Sequence, residues 1–205
     1  MAVEGTTTPA RRRDRRHERH EATRQEILDA AWQLMHAEGV AALSLRALAR
    51  AVGMEPQSLY SYFDSKHAIY DALFAEANTL LLARLEPDPG TEDPVDALRV
   101  HAHRFVDFCT DDAARYQLLF QRTIPGFEPS EQSYAIARRV LDGSARALAG
   151  VGLHDDAHLE MWTALTSGVV AQQTANEPGG ERFVRHLDRM IDMYLSHLQP
   201  ERRSP

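Results

Sequence analysis

Between Glu55 and Asp64 the chain carries Gln57, Ser58, Tyr60, Ser61 and Tyr62, five side chains that hydrogen-bond without formal charge, interleaved with Leu59 and Phe63. Amides and hydroxyls in such a run suit base edges and phosphate oxygens, whereas a face needed only for solubility is normally built from Glu, Lys and Arg. A second chemical group lies upstream, where Arg11, Arg12, Arg13, Arg15, Arg16 and Arg19 fall within nine residues. That density is either an arm that neutralises phosphates or a solvated extension.

Other reactive residue types occur without the spacing that catalysis needs. His154 and His158 stand four apart, as in a two-histidine metal site on a helix. No Glu lies between them in the zinc-protease arrangement, and Asp155 and Asp156 read as helix caps. His101 and His103 are two apart and cannot face the same way on a helix. Cys109 is the only cysteine, so the chain has no internal disulfide and no thiolate metal set. There is no Gly-x-Ser-x-Gly and no phosphate-cradling glycine loop. The chemistry favoured is binding rather than catalysis, with no enzyme activity, cofactor or metal expected.

The elements that must position these groups are helices. Thr23 with Glu26 reads as a capping box, followed by Ile27, Ala31, Leu34 and Met35 at helical spacing until Gly39. Ser44 is expected to cap a short second helix with Leu45, Leu48, Ala49 and Val52 on one face, and Gly53 to end it. Glu55-Pro56 opens a third helix of about two turns, held down by Leu59 and Phe63. Asp64 or Ser65 starts a fourth, with Ile69, Leu73, Ala77 and Leu80 as its stripe.

After the break at Pro87-Asp88-Pro89-Gly90, Asp93-Pro94 opens a helix bearing Val95, Leu98, Ala102, Phe105 and Cys109, and four more follow at about 113–122, 129–149, 155–175 and 181–198. No segment alternates as a strand does, and no repeat is visible. The fold class is therefore all-α: a three-helix helix-turn-helix head, linked by a fourth helix to a larger helical body. Residues 1–20 read as a flexible Arg-rich extension, 21–67 as the head and 68–205 as the body.

The 205 residues are 43% hydrophobic and 26% charged, ordinary globular usage with ample material for a core. No apolar run approaches the roughly 20 residues that span a bilayer, and no apolar segment follows the arginines as in a signal peptide, so a soluble, cytoplasmic protein with no membrane partner is expected. A net charge of −7 by itself argues against nucleic acid, but its distribution does not. Residues 1–67 hold 10 basic and 9 acidic side chains, against 13 and 21 in residues 68–205, so a near-neutral head meets an acidic body.

The stretch LSLRALARAVGMEPQSLYSYFDSK, residues 43–66, resembles the TetR family of transcriptional repressors. Ile27-Leu28-Asp29-Ala30-Ala31 with Gly39 precedes it, and Tyr70-Asp71-Ala72-Leu73-Phe74 follows. Leu-Ala-x-x-x-Gly, Leu-Tyr-x-x-Phe and Ser-Lys at these spacings are a specific combination, covering about a quarter of the chain. The resemblance implies that Arg46, Gln57, Ser58 and Tyr62 approach bases in the major groove and that Ser44, Tyr60 and Lys66 hold the DNA backbone. It also implies a ligand-responsive regulator of this kind: a repressor that binds a palindromic operator as a dimer and is released by a small molecule. A helical ligand-binding or interaction bundle without specific DNA regulation is the alternative.

The family's middle helices enclose an effector pocket, to which His101, Phe105, Phe108, Tyr116, Phe120, Trp162 and Thr166 correspond here; an aromatic stripe is also what a plain core looks like. A two-turn reading helix contacts too few base pairs to be specific alone, which calls for a homodimer. Leu165, Val169, Leu187, Met190, Ile191 and Tyr194 form the apolar stripes of the last two helices, and in the resembling family such stripes pack between chains. Packing only against their own core is the alternative. Met161 to Gly168 resembles the start of the dimerising helix in one family subgroup, with Ser167 where a histidine is usual.

Overall fold

A helix forms wherever the apolar spacing is close to 3.6 and no Gly or Pro interrupts it, and the elements begin and end largely at such interruptions. The computed structural model describes residues 9–86 and 89–198, with side chains over 15–86 and 89–196. Among them are nine α-helices and no strand: α1 Pro9–Glu38, α2 Leu45–Ala51, α3 Pro56–Leu59, α4 Lys66–Leu85, α5 Pro94–Asp111, α6 Ala113–Phe120, α7 Glu131–Gly150, α8 Asp156–Asn176 and α9 Leu187–Leu198.

The first helix departs most from expectation. It starts at Pro9, not at Thr23, so the described part of the Arg-rich extension is helical and Thr23 lies inside the helix rather than capping it. Absence of an apolar stripe removes a packing face but not helix propensity. Proline is welcome at a helix start, arginine is a good helix former, and no Gly or Pro stands between Pro9 and Glu38. Residues 1–8, and the side chains of Arg11, Arg12 and Arg13, lie outside the described residues.

The chain divides into two units, the first spanning the described part of Met1–Leu73 together with Arg122–Glu128. Its core is Ile27, Ala31, Met35, Leu48, Ala49, Leu59, Ile69, Tyr70 and Leu73, each at most 1% exposed. α1 packs on α2 and α2 on α3. The segment 122–128 was not foreseen as part of the head; Phe127 sets its ring 5.7 Å from that of Tyr70 and 6.0 Å from that of His67.

The second unit comprises Phe74–Gln121 and the described part of Pro129–Pro205. α5 is its central helix, packed against α6, α7, α8 and α9. Asp93 caps it as expected, accepting from the backbone N–H of Val95 at 2.7 Å and of Asp96 at 3.2 Å. Leu98, Ala102, Val106, Cys109, Val170, Leu187 and Ile191 form the centre of the core. Cys109 is fully buried, and burial pushes its thiol pKa up, so it is a packing residue rather than a nucleophile.

Candidate functional site

The turn between α2 and α3 is made by a glycine held where other residues are strained. Gly53 has φ +68°, and the chain re-enters through Met54, whose N–H donates to the Ala49 carbonyl at 2.8 Å. Pro56 then occupies the first position of α3, after an extended Glu55. Only Pro56–Leu59 are α-helical, shorter than the two turns expected. Beyond them the N–H groups of Tyr60, Ser61 and Tyr62 donate to Gln57, Ser58 and Leu59, three residues back, so the chain tightens into 3-10-type turns without losing its helical course.

Leu59, 1% exposed, and Phe63, 4% exposed, anchor this segment, while Arg46, Gln57, Ser58 and Tyr60 are exposed. Tyr62 differs: it is half-buried, with its ring stacked against His20 at 4.8 Å between centroids. His20 Nε2 lies 3.3 Å from the Ser61 carbonyl oxygen. One turn on, Arg24 Nη1 donates to the Tyr62 carbonyl at 2.8 Å, and its guanidinium sits 4.1 Å from the Phe63 ring centroid. Sequence reasoning missed both residues. Their spacing of four on a helix, which places them on one face, was the available signal.

Ser44 stands at the N-cap position of α2 and is exposed, but its side chain makes no capping hydrogen bond; the backbone carbonyl alone receives the Leu48 N–H at 2.8 Å. Lys66 is the first residue of α4, half-buried, with Nζ 5.5 Å from the Tyr70 ring centroid. Ser65 caps this helix, its Oγ accepting from the Ala68 N–H at 3.1 Å. Tyr70 donates its hydroxyl to the Val40 carbonyl at 2.7 Å, and burial pushes its pKa up to about 12, so the phenol remains a donor at neutral pH.

The second unit contains a cavity of about 170 Å³ between α4, α5, α6, α7 and α8. Of the side chains expected around a pocket, His101, Phe105, Phe120, Trp162 and Thr166 line it. Phe108 and Tyr116 do not. Phe108 lies under the Arg115 guanidinium, 5.0 Å from ring to cation, and the Tyr116 hydroxyl is turned to the Ser167 carbonyl at 3.3 Å. Helical spacing puts a residue on an inner face but does not say whether that face meets space or side chains. His101 is 9% exposed and bonds Ser144 Oγ through Nε2 at 3.0 Å. Burial, with Arg104 and Arg146 nearby, lowers its pKa to about 4.

The helix-turn-helix geometry is matched by sequence. Residues 27–73 match the family of bacterial regulatory proteins named for tetR. Through this head, the chain is similar to the tetR family. It is 26% identical over 139 residues to the HTH-type transcriptional regulator Rv1816 of Mycobacterium tuberculosis, an alignment covering 66% of this chain and 59% of that protein. The chain thus matches little more than half the length of that relative. The fold is also that of the tetR-family regulator PfmR from Thermus thermophilus, with TM-score 0.65 and 21% identity over 85% of this chain and 99% of PfmR. BioQ, whose crystal structure contains its natural double-stranded DNA operator, shares the fold with TM-score 0.59 and 18% identity over 85% of this chain and 98% of BioQ.

Of the side chains expected between copies, four lie in the core of the single chain. Val169, Leu187, Ile191 and Tyr194 are 4%, 0%, 0% and 8% exposed within the single chain, where α9 packs against α5 and α8. A residue already buried in its own core has no surface left for a partner. Leu165 and Met190 are partly buried at the edge of the same core. The outward side of α8 carries instead Met161, Ala164 and Gly168, and α9 exposes Met193 at 63%.

The remaining histidines do not converge. His154 precedes α8 and is exposed, His158 lies on the helix, and Asp155 caps it by accepting from the Ala157 N–H at 3.0 Å. His103 is exposed and pairs with Asp188 Oδ1 at 2.9 Å, while His101 points inward, as their spacing of two requires. Among the described residues no group of three or more His, Cys, Asp or Glu is placed to hold a metal. No helix among them is long and apolar enough to cross a membrane.

Proposed function

We propose that this chain is a DNA-binding transcriptional regulator that grips a palindromic operator as a homodimer, represses, and is released by a small molecule. The observation that carries the reading is the tetR-family head itself, with uncharged Gln57, Ser58 and Tyr60 exposed on a short helical segment that is pinned from beneath by Leu59 and Phe63. In this reading Arg46, Gln57, Ser58 and Tyr62 face the bases, and Ser44, Tyr60 and Lys66 hold phosphates. Arg15, Arg16 and Arg19, exposed on the first turns of α1, add phosphate contacts, and Arg11, Arg12 and Arg13 belong to the same arm.

A short reading segment covers few base pairs, so two copies are needed for specificity against a genome of competitors. The exposed sides of α8 and α9 are the surfaces a second copy would cover, with Leu165 and Met190 at their edges. The cavity in the body supplies a site for the effector. A ligand relieves repression only by binding the DNA-free form more tightly, and linkage then requires operator DNA to weaken ligand binding by the same factor.

A mobility shift with the DNA upstream of the chain's own coding region tests the reading. The expected result is a retarded complex displaced by an unlabelled copy and not by random DNA. Failure to discriminate the two would leave a helical binding bundle without specific DNA regulation.

A further inference from the structure

The cavity lining carries a chemical signature that narrows its ligand. None of its side chains is Asp, Glu, Lys or Arg. Phe74, Phe105, Phe120, Tyr134 and Trp162 supply aromatic surface, and Phe105 and Phe120 meet edge to face at 5.5 Å. Phe120 and Tyr134 are 39% and 45% exposed, so the aromatic lining reaches the surface at its rim. Two of the buried polar groups are spent on their own helices: Asn78 Nδ2 donates to the Phe74 carbonyl at 2.9 Å, and Thr166 Oγ1 to the Trp162 carbonyl at 3.0 Å.

His101 and Ser144 form a hydrogen-bonded pair in the wall, and the hydroxyls of Thr163 and of rim residue Tyr134 complete the polar lining. We infer that the cavity binds a neutral, single-ring aromatic molecule bearing one hydroxyl, with the His101–Ser144 pair as its polar anchor. The inference rests on the effector-responsive reading above and names the class of ligand.

Size, charge and hydrogen bonding all favour that class. The volume, about 170 Å³, is close to that of an apolar protein cavity of about 150 Å³ known to take up benzene, so a single ring is the right size. A charged group here has no countercharge in the lining, and burying one unpaired is costly. The hydroxyl follows from the pair itself. If neutral His101 accepts from Ser144, the serine oxygen has lone pairs left for a donor; if His101 donates, the serine O–H is left for an acceptor. A ligand hydroxyl answers either arrangement. Arg104 and Arg146 line a neighbouring cavity that shares only His101 and Val140 with this one; burial first, and their charge second, keep the imidazole neutral.

The chain has two tryptophans, Trp32 in the head and Trp162 in the cavity wall, so a Trp32→Phe background makes fluorescence report on the cavity alone. Benzyl alcohol, toluene, benzoate and benzylammonium are titrated at pH 7 without DNA. Benzyl alcohol is expected to quench Trp162 saturably, toluene to bind about tenfold more weakly for want of one hydrogen bond, and both ions at least a hundredfold more weakly. Ser144→Ala should lower benzyl alcohol to the affinity of toluene and leave toluene unchanged, which also shows that the variant folds. Equal binding of toluene and benzyl alcohol, binding of either ion as tight as the alcohol, or no saturable response to any neutral probe would overturn the inference. Saturable binding that leaves an operator complex intact counts against release by this ligand and not against the ligand class.

Discussion

The His20 imidazole stacks on the Tyr62 ring, with centroids 4.8 Å apart and planes inclined by 28°. This joins the Arg-rich end of α1 to the last turn of the reading segment, two pieces of chain 41 residues apart at the companion His20–Ser61 contact. Tyr62, expected to face bases, is therefore held on one side by protein, and its orientation depends on α1.

Arg24 supports the same turn through a hydrogen bond and a ring contact, so its removal has a measurable cost. Arg24→Ala is expected to lower the unfolding free energy by about 1–3 kcal/mol, the range for a charged hydrogen bond with its packing. Arg24→Lys should recover only part, because an ammonium cannot both stack as a plane and donate from a fork. Urea midpoints of the three proteins decide it; an unchanged midpoint in Arg24→Ala would remove the supporting role.

Phosphate and base contacts separate by their response to DNA sequence. Lys66→Ala should weaken operator and random DNA alike and reduce the salt slope by about 1, whereas Gln57→Ala should relax preference at one or two base pairs by about 1–3 kcal/mol. Competition assays over single-base operator variants give both quantities. A wild-type ranking of those variants by Gln57→Ala would rule it out as a base reader.

Deleting residues 1–19 should flatten the slope of log affinity against log salt by about two to four units, at roughly 0.9 per neutralised phosphate, and leave sequence preference intact. His20 is retained in this truncation, so the stack on Tyr62 remains available. An unchanged slope would return the arginines to the role of a solvated helix end.

The two views of the last helices are separated by substitutions that differ in burial. A Cβ added at Gly168 meets nothing within 4 Å in the chain, so Gly168→Glu should fold normally and yield monomers if this face packs against a second copy. Leu187→Glu, at a fully buried position, should unfold the chain instead. Sedimentation with circular dichroism checks both, and a dimeric Gly168→Glu protein would move the interface elsewhere.

His101 predicts an acid-sensitive window. Its folded pKa of about 4 lies below the ordinary 6.5, so between those values the unfolded chain binds the extra proton. Its contribution is therefore complete above about pH 6.5 and is lost as pH falls toward 4, at most about 3 kcal/mol. Unfolding free energies across that range should fall less steeply in His101→Gln than in the wild type. Parallel curves would place the acid sensitivity in other groups.

Local signals in the sequence determined the all-α class, the Gly53 turn, Pro56 at the start of α3 and the cap at Asp93, because each depends on backbone preferences within a few residues. The order of elements and the helix-turn-helix head were legible for the same reason. What each apolar stripe faces was not legible. Leu187 and Ile191 have the same spacing whether they meet their own α5 and α8 or another chain, and only the tertiary structure put them inside. It likewise separated Phe105, which lines a cavity, from Phe108, which fills a core, although both sit on the buried side of α5. The docking of His20 and Arg24 on the reading turn, and of Phe127 on Tyr70, joins residues far apart in the chain. Such contacts are fixed by the packing of whole helices, and helical periodicity records the face a side chain occupies but not the neighbour it meets.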